Sequence, residues 1–159
     1  MRPLYIFDLD GTLALIEHRL PVLAEPGDPE EKWARFFSLC VYDDPNISVL
    51  HTLDRLLYAG VEVWVWTGRS EEVRQQTVDW LNMHLQHCHC FDFDNCLFMR
   101  PVGDHRPDAA LKAQWLTEMS GENRARLVAA FEDRAAPVRM FRDNGVPCFQ
   151  VAEPVEAPQ

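Results

Sequence analysis

Apolar positions along this chain come in two rhythms, short runs and three-to-four-residue recurrences, and the two alternate from end to end. Residues 4–7, 61–66, 96–99, 126–131 and 146–151 are short runs rich in β-branched and aromatic side chains, and they predict strands. Residues 29–41, 47–59, 70–87, 107–119 and 135–144 carry helical spacing. Trp33, Phe36, Phe37 and Cys40 share one face of the first helix; Val73, Thr77, Trp80, Leu81 and His84 share one face of the third. Asp28 before Pro29, Glu30 and Glu31 is a helix start, and Gly60 and Gly145 are stops. Residues 13–28 have no period, which predicts a loop or short helical flap near the site. Strands alternating with helices predict an α/β fold, a parallel doubly wound sheet with helices on both faces. Ligands then bind beyond the C-terminal ends of the strands.

Composition narrows the class. A chain of 159 residues suits a single domain, taken here as residues 1–152 with a flap at 13–46 and an acidic, proline-rich tail at 153–159 that frays. Hydrophobic residues at 47% and charged ones at 25% describe a globular protein and not a disordered one. No apolar run approaches the roughly 20 residues of a membrane span, and the N-terminus lacks a cleavage site, so a cytoplasmic address is expected. Five cysteines, an odd count, read as reduced thiols. A net charge of −10 argues against a sequence-independent grip on long nucleic acid, yet leaves room for a small basic pocket that holds one phosphate. His84, His87, Cys88, His89, Cys90 and Cys96 crowd together with a spacing unlike structural zinc sites; a loop with buried thiols is the preferred reading, a metal the alternative.

The chemistry concentrates at strand ends. Asp8 and Asp10 follow the first strand at alternate positions, so both carboxylates could face one site, and Gly11 lets the backbone turn there. Two acids that close call for a cation or a shared proton, a workable design for a Mg²⁺-assisted nucleophile with a neighbouring acid/base. A loop turn or helix cap is the plainer alternative. Thr67 and Gly68 with Arg69 and Ser70 end another strand before a helix, where a hydroxyl and free N–H groups can bind phosphate or simply cap the helix. Asp108 and Lys112 lie at i and i+4 on a helix opened by Pro107. A lysine so near a helix start opposes the macrodipole, which points to an anionic partner, although an ordinary surface pair reads the same way.

The string FDLDGTL closely resembles the first motif of the haloacid dehalogenase (HAD) phosphohydrolases. TGRS, Lys112 and the pair Glu132-Asp133 stand in order where that family carries its other three motifs. The resemblance implies an Asp8 nucleophile that forms an aspartyl-phosphate, an Asp10 acid/base and a phosphate-binding Thr67. It also implies that Lys112 neutralises charge, and that Asp8, Asp10, Asp133 and Glu132 form a Mg²⁺ site, Asp133 being the firmer of the last two. A narrower resemblance rests on Arg19, on MRPVGDHRPDAALK (residues 99–112) and on FEDRAAPVRMFRDNGVPCFQVA (residues 131–152). These look like the 3′-phosphatase domain of phage-type polynucleotide kinase/phosphatases. Implied further are phosphate binding by Arg19 and Arg69 and support of Lys112 by Asp108. Glu132 replaces the family's usual Asp and Phe141 its usual Trp.

The kinase loop GxxxxGK[ST] does not occur, so the chain reads as a stand-alone phosphatase domain or as one part of a split enzyme with a separate kinase or ligase partner. With no large insertion to form a cap domain, an open site suits a nucleic-acid 3′ end, with a 2′,3′-cyclic phosphate as a variant. The rivals are a phosphatase of free nucleotides or other small phosphomonoesters, and a non-catalytic binding module of the same fold.

Overall fold

A computed structural model describes residues 1–153. In chain order it contains β1 (Leu4–Phe7), β2 (Ala14–Leu15), α1 (Pro21–Ala24), α2 (Pro29–Ser38), β3 (Asp44–Pro45), α3 (Ile47–Tyr58), β4 (Glu62–Ser70), α4 (Arg74–His84), α5 (Phe93–Cys96), β5 (Leu97–Arg100), α6 (Asp108–Glu118), α7 (Gly121–Arg126), β6 (Leu127–Glu132), α8 (Ala135–Asp143) and β7 (Cys148–Gln150). The expected frayed tail lies, except for Glu153, outside the described residues.

Five strands form one parallel sheet in the order β5-β4-β1-β6-β7. Ile6 pairs with Trp64 and Ala130, and Phe7 with Val65 and Phe131, so alternate residues of the central strands feed opposite faces. On one face Trp66 meets Trp115 of α6 and Phe141 of α8 at ring distances of 5.6 and 5.9 Å. The other face is covered by α3, whose Leu50, Leu53 and Leu57 are buried against the sheet. Both sides of β1 and β4 are therefore apolar, as parallel strands require. The sheet thus aims Asp8, Thr67 and Glu132 at the same end.

Several boundaries differ from the expectation. β4 does not stop at Trp66: after an irregularity it pairs Ser70 with Arg100, and a 3₁₀ turn at Glu71–Val73 precedes α4. The Ser70 hydroxyl caps that turn, not the main helix. Arg126 ends α7, since Arg126 is anchored to Glu62 by two hydrogen bonds of 2.7 and 2.9 Å and the apolar run begins only at Leu127. Asp28 caps α2 as expected, accepting from the Glu30 and Glu31 N–H groups. α2 ends at Ser38 and tightens into a 3₁₀ turn at Leu39–Tyr42. Within the flap, β2 and β3 pair antiparallel, and the Asn46 N–H and side-chain amide donate to Leu13 and Thr12 carbonyls. This strap pins both ends of the flap beside the loop that follows β1.

A buried acid ties α3 to the segment after α4. Asp54 accepts from the His87 N–H at 2.8 Å, and its other oxygen meets His87 Nδ1 at 2.7 Å. Burial opposes ionisation there, but the His87 and Arg55 hydrogen bonds outweigh it and hold the carboxyl below its usual range. Asp54→Ala is expected to cost about 1–2 kcal/mol at neutral pH, because the His87 N–H loses its acceptor. A depressed acid stabilises above its unfolded pKa and stops doing so as pH falls through its folded value. Urea unfolding of the two proteins should therefore converge in acid.

Candidate active site

Asp8 extends the line of β1. Its N–H donates to the Phe131 carbonyl at 3.0 Å, which fixes it against β6. The chain then turns tightly: the N–H groups of Thr12, Leu13 and Ala14 all point at the Leu9 carbonyl. Gly11 sits at φ +85°, and a Cβ there would lie 2.1 Å from Asp133 Oδ2. Gly11→Ala should thus cost about 1–2 kcal/mol and displace Asp133. Thermal unfolding and Mg²⁺ titration of the variant check both effects.

Three carboxylates converge on one lysine. Lys112 donates to Asp8 Oδ1 at 2.6 Å and to Glu132, and lies 3.0 Å from Asp108 Oδ2. All four side chains are buried. The Asp108–Lys112 spacing seen in the sequence is therefore an interior contact and not a surface pair. Burial works against the Lys112 charge, but Asp108, Asp8 and Glu132 together hold its pKa well above normal. Burial raises Asp8, with Lys112 opposing, and it raises Glu132 strongly, with Asp8 adding to the rise. Thr12 donates its hydroxyl to Asp8 Oδ2 at 2.9 Å. Outside this group Arg134 donates to Asp108 Oδ2 at 2.7 Å with its side chain 57% exposed, which puts a cation at the mouth.

Asp10 belongs to a second cluster. Its Oδ1 accepts from Arg19 Nη2 and Arg69 Nε, both at 2.7 Å. Each guanidinium also reaches Asp43, Arg19 through Nε (2.8 Å) and Nη2 (2.7 Å), Arg69 through Nη2 (2.7 Å). Both arginines and Asp43 are buried, whereas the Asp10 side chain is 18% exposed. Burial would raise Asp10, but Arg69 and Arg19 outweigh it and hold its carboxyl below the usual range. The two arginines expected to face a phosphate are thus turned onto carboxylates. Among the described residues Asp10 Oδ2 takes no protein hydrogen bond, which leaves it to the site.

Thr67 is fully buried, and its hydroxyl oxygen accepts from the Arg69 N–H at 3.2 Å, leaving its proton to donate. Gly68 passes so close to Asp108 that a Cβ would fall 2.7 Å from Oδ1. Sequence reasoning missed Asp43, Thr12 and Arg134. For Asp43 no local signal exists, since Arg19 and Arg69 are 24 and 26 residues away.

The donor set fits a divalent cation. Asp133 Oδ1 is buried without a hydrogen-bond partner, and so is Glu132 Oε2. Burial, with Asp8 adding, pushes Asp133 up to about 7. Such strain between acids is what a hard cation relieves. Among the described residues the group whose ligand atoms converge is Asp8, Asp108 and Glu132, but the Lys112 ammonium already fills its centre. Asp133, with its Oδ1 unpartnered, stands outside that group. The 84–96 histidines and cysteines form no such group among the described residues.

A parallel sheet with carboxylates, a threonine and a lysine at its C-terminal end defines a phosphatase domain of the HAD type. Residues 2–154 match the family described as the polynucleotide kinase PNKP phosphatase domain, and the chain belongs to it. No curated protein sequence matches the chain. A structure of a Pnkp1/Rnl/Hen1 complex contains a chain 28% identical, TM-score 0.74, matched over 97% of this chain and 47% of its own. A second structure of that RNA repair complex gives the same identity and score, with 44% of its chain covered. This chain thus spans about half the length of those relatives. Class C acid phosphatase from Bacillus anthracis with tungstate bound shares the fold at 11% identity and TM-score 0.65, over 98% and 68% of the two chains.

Proposed function

We propose that this domain removes the terminal phosphate from the 3′ end of a polynucleotide, using Mg²⁺ and an aspartyl-phosphate on Asp8. The observation that carries the reading is the separation of the two acids: Asp8 lies against Lys112 and Thr12, while Asp10 is clamped beside it with one oxygen open. Membership of the PNKP phosphatase family supports the choice of substrate class.

An Asp8 oxygen attacks phosphorus as the bond to the leaving 3′-oxygen breaks, and Asp10 delivers a proton to that oxygen. In the second half Asp10 takes a proton from water. The hydroxyl oxygen then attacks phosphorus, and Asp8 and inorganic phosphate are released. The arginine clamp holds Asp10 ionised at rest, as the second step requires; an approaching phosphate dianion raises it for the first. Lys112 and the Thr67 hydroxyl face the growing charge on the phosphoryl oxygens. Asp8 and Asp133, with Asp10 and Glu132 alongside, would hold Mg²⁺, which would supply charge neutralisation for the nucleophile and the phosphate.

The complexes named for Pnkp1, Rnl and Hen1 support a further element of the proposal, a separate kinase or ligase partner. A second reading, a phosphatase of free nucleotides, draws on the flap strapped beside the site, which could close over a small ligand.

The test is phosphate release from an oligonucleotide ending in 3′-phosphate, with Mg²⁺ or with EDTA, beside its 5′-phosphate isomer and a 3′-mononucleotide. Mg²⁺-dependent release favouring the 3′ oligonucleotide supports the proposal. Preference for the mononucleotide moves the assignment to the second reading, and no release from any substrate sinks both.

A further inference from the structure

The flap presents an aromatic ring that neither the fold nor the chemistry above uses. Trp33, Phe36, Phe37 and Cys40 form one stripe along α2 and the turn that follows it. The inner end, Cys40, is fully buried and feels the charges of Arg69, Arg19, Asp10 and Asp43. Further out, the Arg19 guanidinium lies 4.3 Å over the centre of the Phe36 ring. Trp33 ends the stripe, edge-on to Phe36 at 5.4 Å and stacked on Phe37 at 5.6 Å, and stays 45% exposed. At 1.5 Å rise per residue, Trp33 stands about 10 Å along the helix from Cys40. An indole rigidly backed by two phenyl rings yet open to solvent is a ready stacking surface.

The chemistry says which side of the site this is. A general acid must stand on the leaving group's side of phosphorus, because its proton goes to the leaving oxygen. Asp10 is held in place by Arg19, from within the flap, and by Arg69; Asp43, where the flap returns, braces both guanidiniums. The leaving nucleotide therefore departs along the flap. Arg35 is paired with Glu25 and the Lys32 ammonium is turned onto the Glu25 carbonyl, so Asp28, Glu30 and Glu31 leave the start of α2 net acidic, which favours an uncharged base over a phosphate there. Arg134, at the mouth on the Asp108 side, suits the phosphates instead.

We infer that Trp33 is a stacking platform for a base at the single-stranded 3′ end of the substrate, and so a specificity residue for such ends over phosphomonoesters that carry no base. This rests on the 3′-phosphatase reading. Stacking on an aromatic face tolerates any base, so the platform selects for a base and not for a sequence.

The test compares kcat/KM for a 3′-phosphorylated oligonucleotide and for p-nitrophenyl phosphate in the wild type, Trp33→Ala and Trp33→Phe. The ratio of the two is expected to fall about tenfold in Trp33→Ala, mainly through the oligonucleotide KM, and to be largely kept in Trp33→Phe. A wild type that prefers the oligonucleotide, with a ratio unmoved by Trp33→Ala, overturns the platform and leaves the 3′-phosphatase reading standing. A wild type with no preference overturns both. Loss of both substrates in step marks a structural role and overturns the platform. So does a change of oligomeric state in sedimentation with the ratio unmoved, which would make Trp33 a contact between copies.

Discussion

Asp8→Asn should abolish phosphate release, by on the order of 10⁴-fold or more, while the domain melts no lower than the wild type. The amide keeps the shape of the carboxylate but cannot form the aspartyl-phosphate. Removing the charge costs the fold little. Burial disfavours the ionised Asp8, and Asp108, Glu132 and Asp133 crowd the same space. Lys112 keeps Asp108 and Glu132 as partners. A phosphate-release assay beside a melting curve separates the two effects. Residual turnover above about one per cent would remove Asp8 from the role of nucleophile.

Lys112→Met reverses the pattern, costing the fold and the chemistry together. Asp8, Asp108 and Glu132 would face one another in the interior without their shared cation. Stripping one partner from a buried ion cluster costs about 3–5 kcal/mol, roughly 10 °C in melting temperature for a domain this size. The sign of the pH dependence follows. Acids whose folded pKa is raised destabilise fully at higher pH, and the penalty lifts as they protonate. The gap between variant and wild type should therefore narrow as pH falls. A gap that is constant across pH would mean that lost packing, and not bare charge, dominates.

The local parts of this site were legible in the sequence. The turn after β1, the Thr67-Gly68 step and the Asp108–Lys112 pair all lie within short strings that mark them as candidates, although spacing did not separate an interior Asp108–Lys112 contact from a surface pair. The orientation of Asp10 was not legible. Alternation along an extended strand could not show that the strand ends at Phe7 or that Arg19 and Arg69 clamp Oδ1 and leave only Oδ2 open. Asp43, which anchors both arginines, joins segments brought together only by the fold. Thr67 to Ser70 read as a strand end running straight into a helix because the pairing of Ser70 with Arg100 is a tertiary event. Helix α7 was hidden by its shortness, at six residues too brief for a period to show.

The β2–β3 strap has a consequence for how such domains diversify. Arg19 and Asp43 stand near the two feet of the flap, and the strap fastens those feet to the loop after β1. Lengthening a loop whose ends are already closed costs only about 0.6 kcal/mol per doubling. The stretch between Arg19 and Asp43 is therefore a socket into which segments of different length and surface can be fitted so long as a carbonyl and ring like those of Phe36 still brace Arg19. Substrate choice can be rewritten there while the reaction is inherited unchanged.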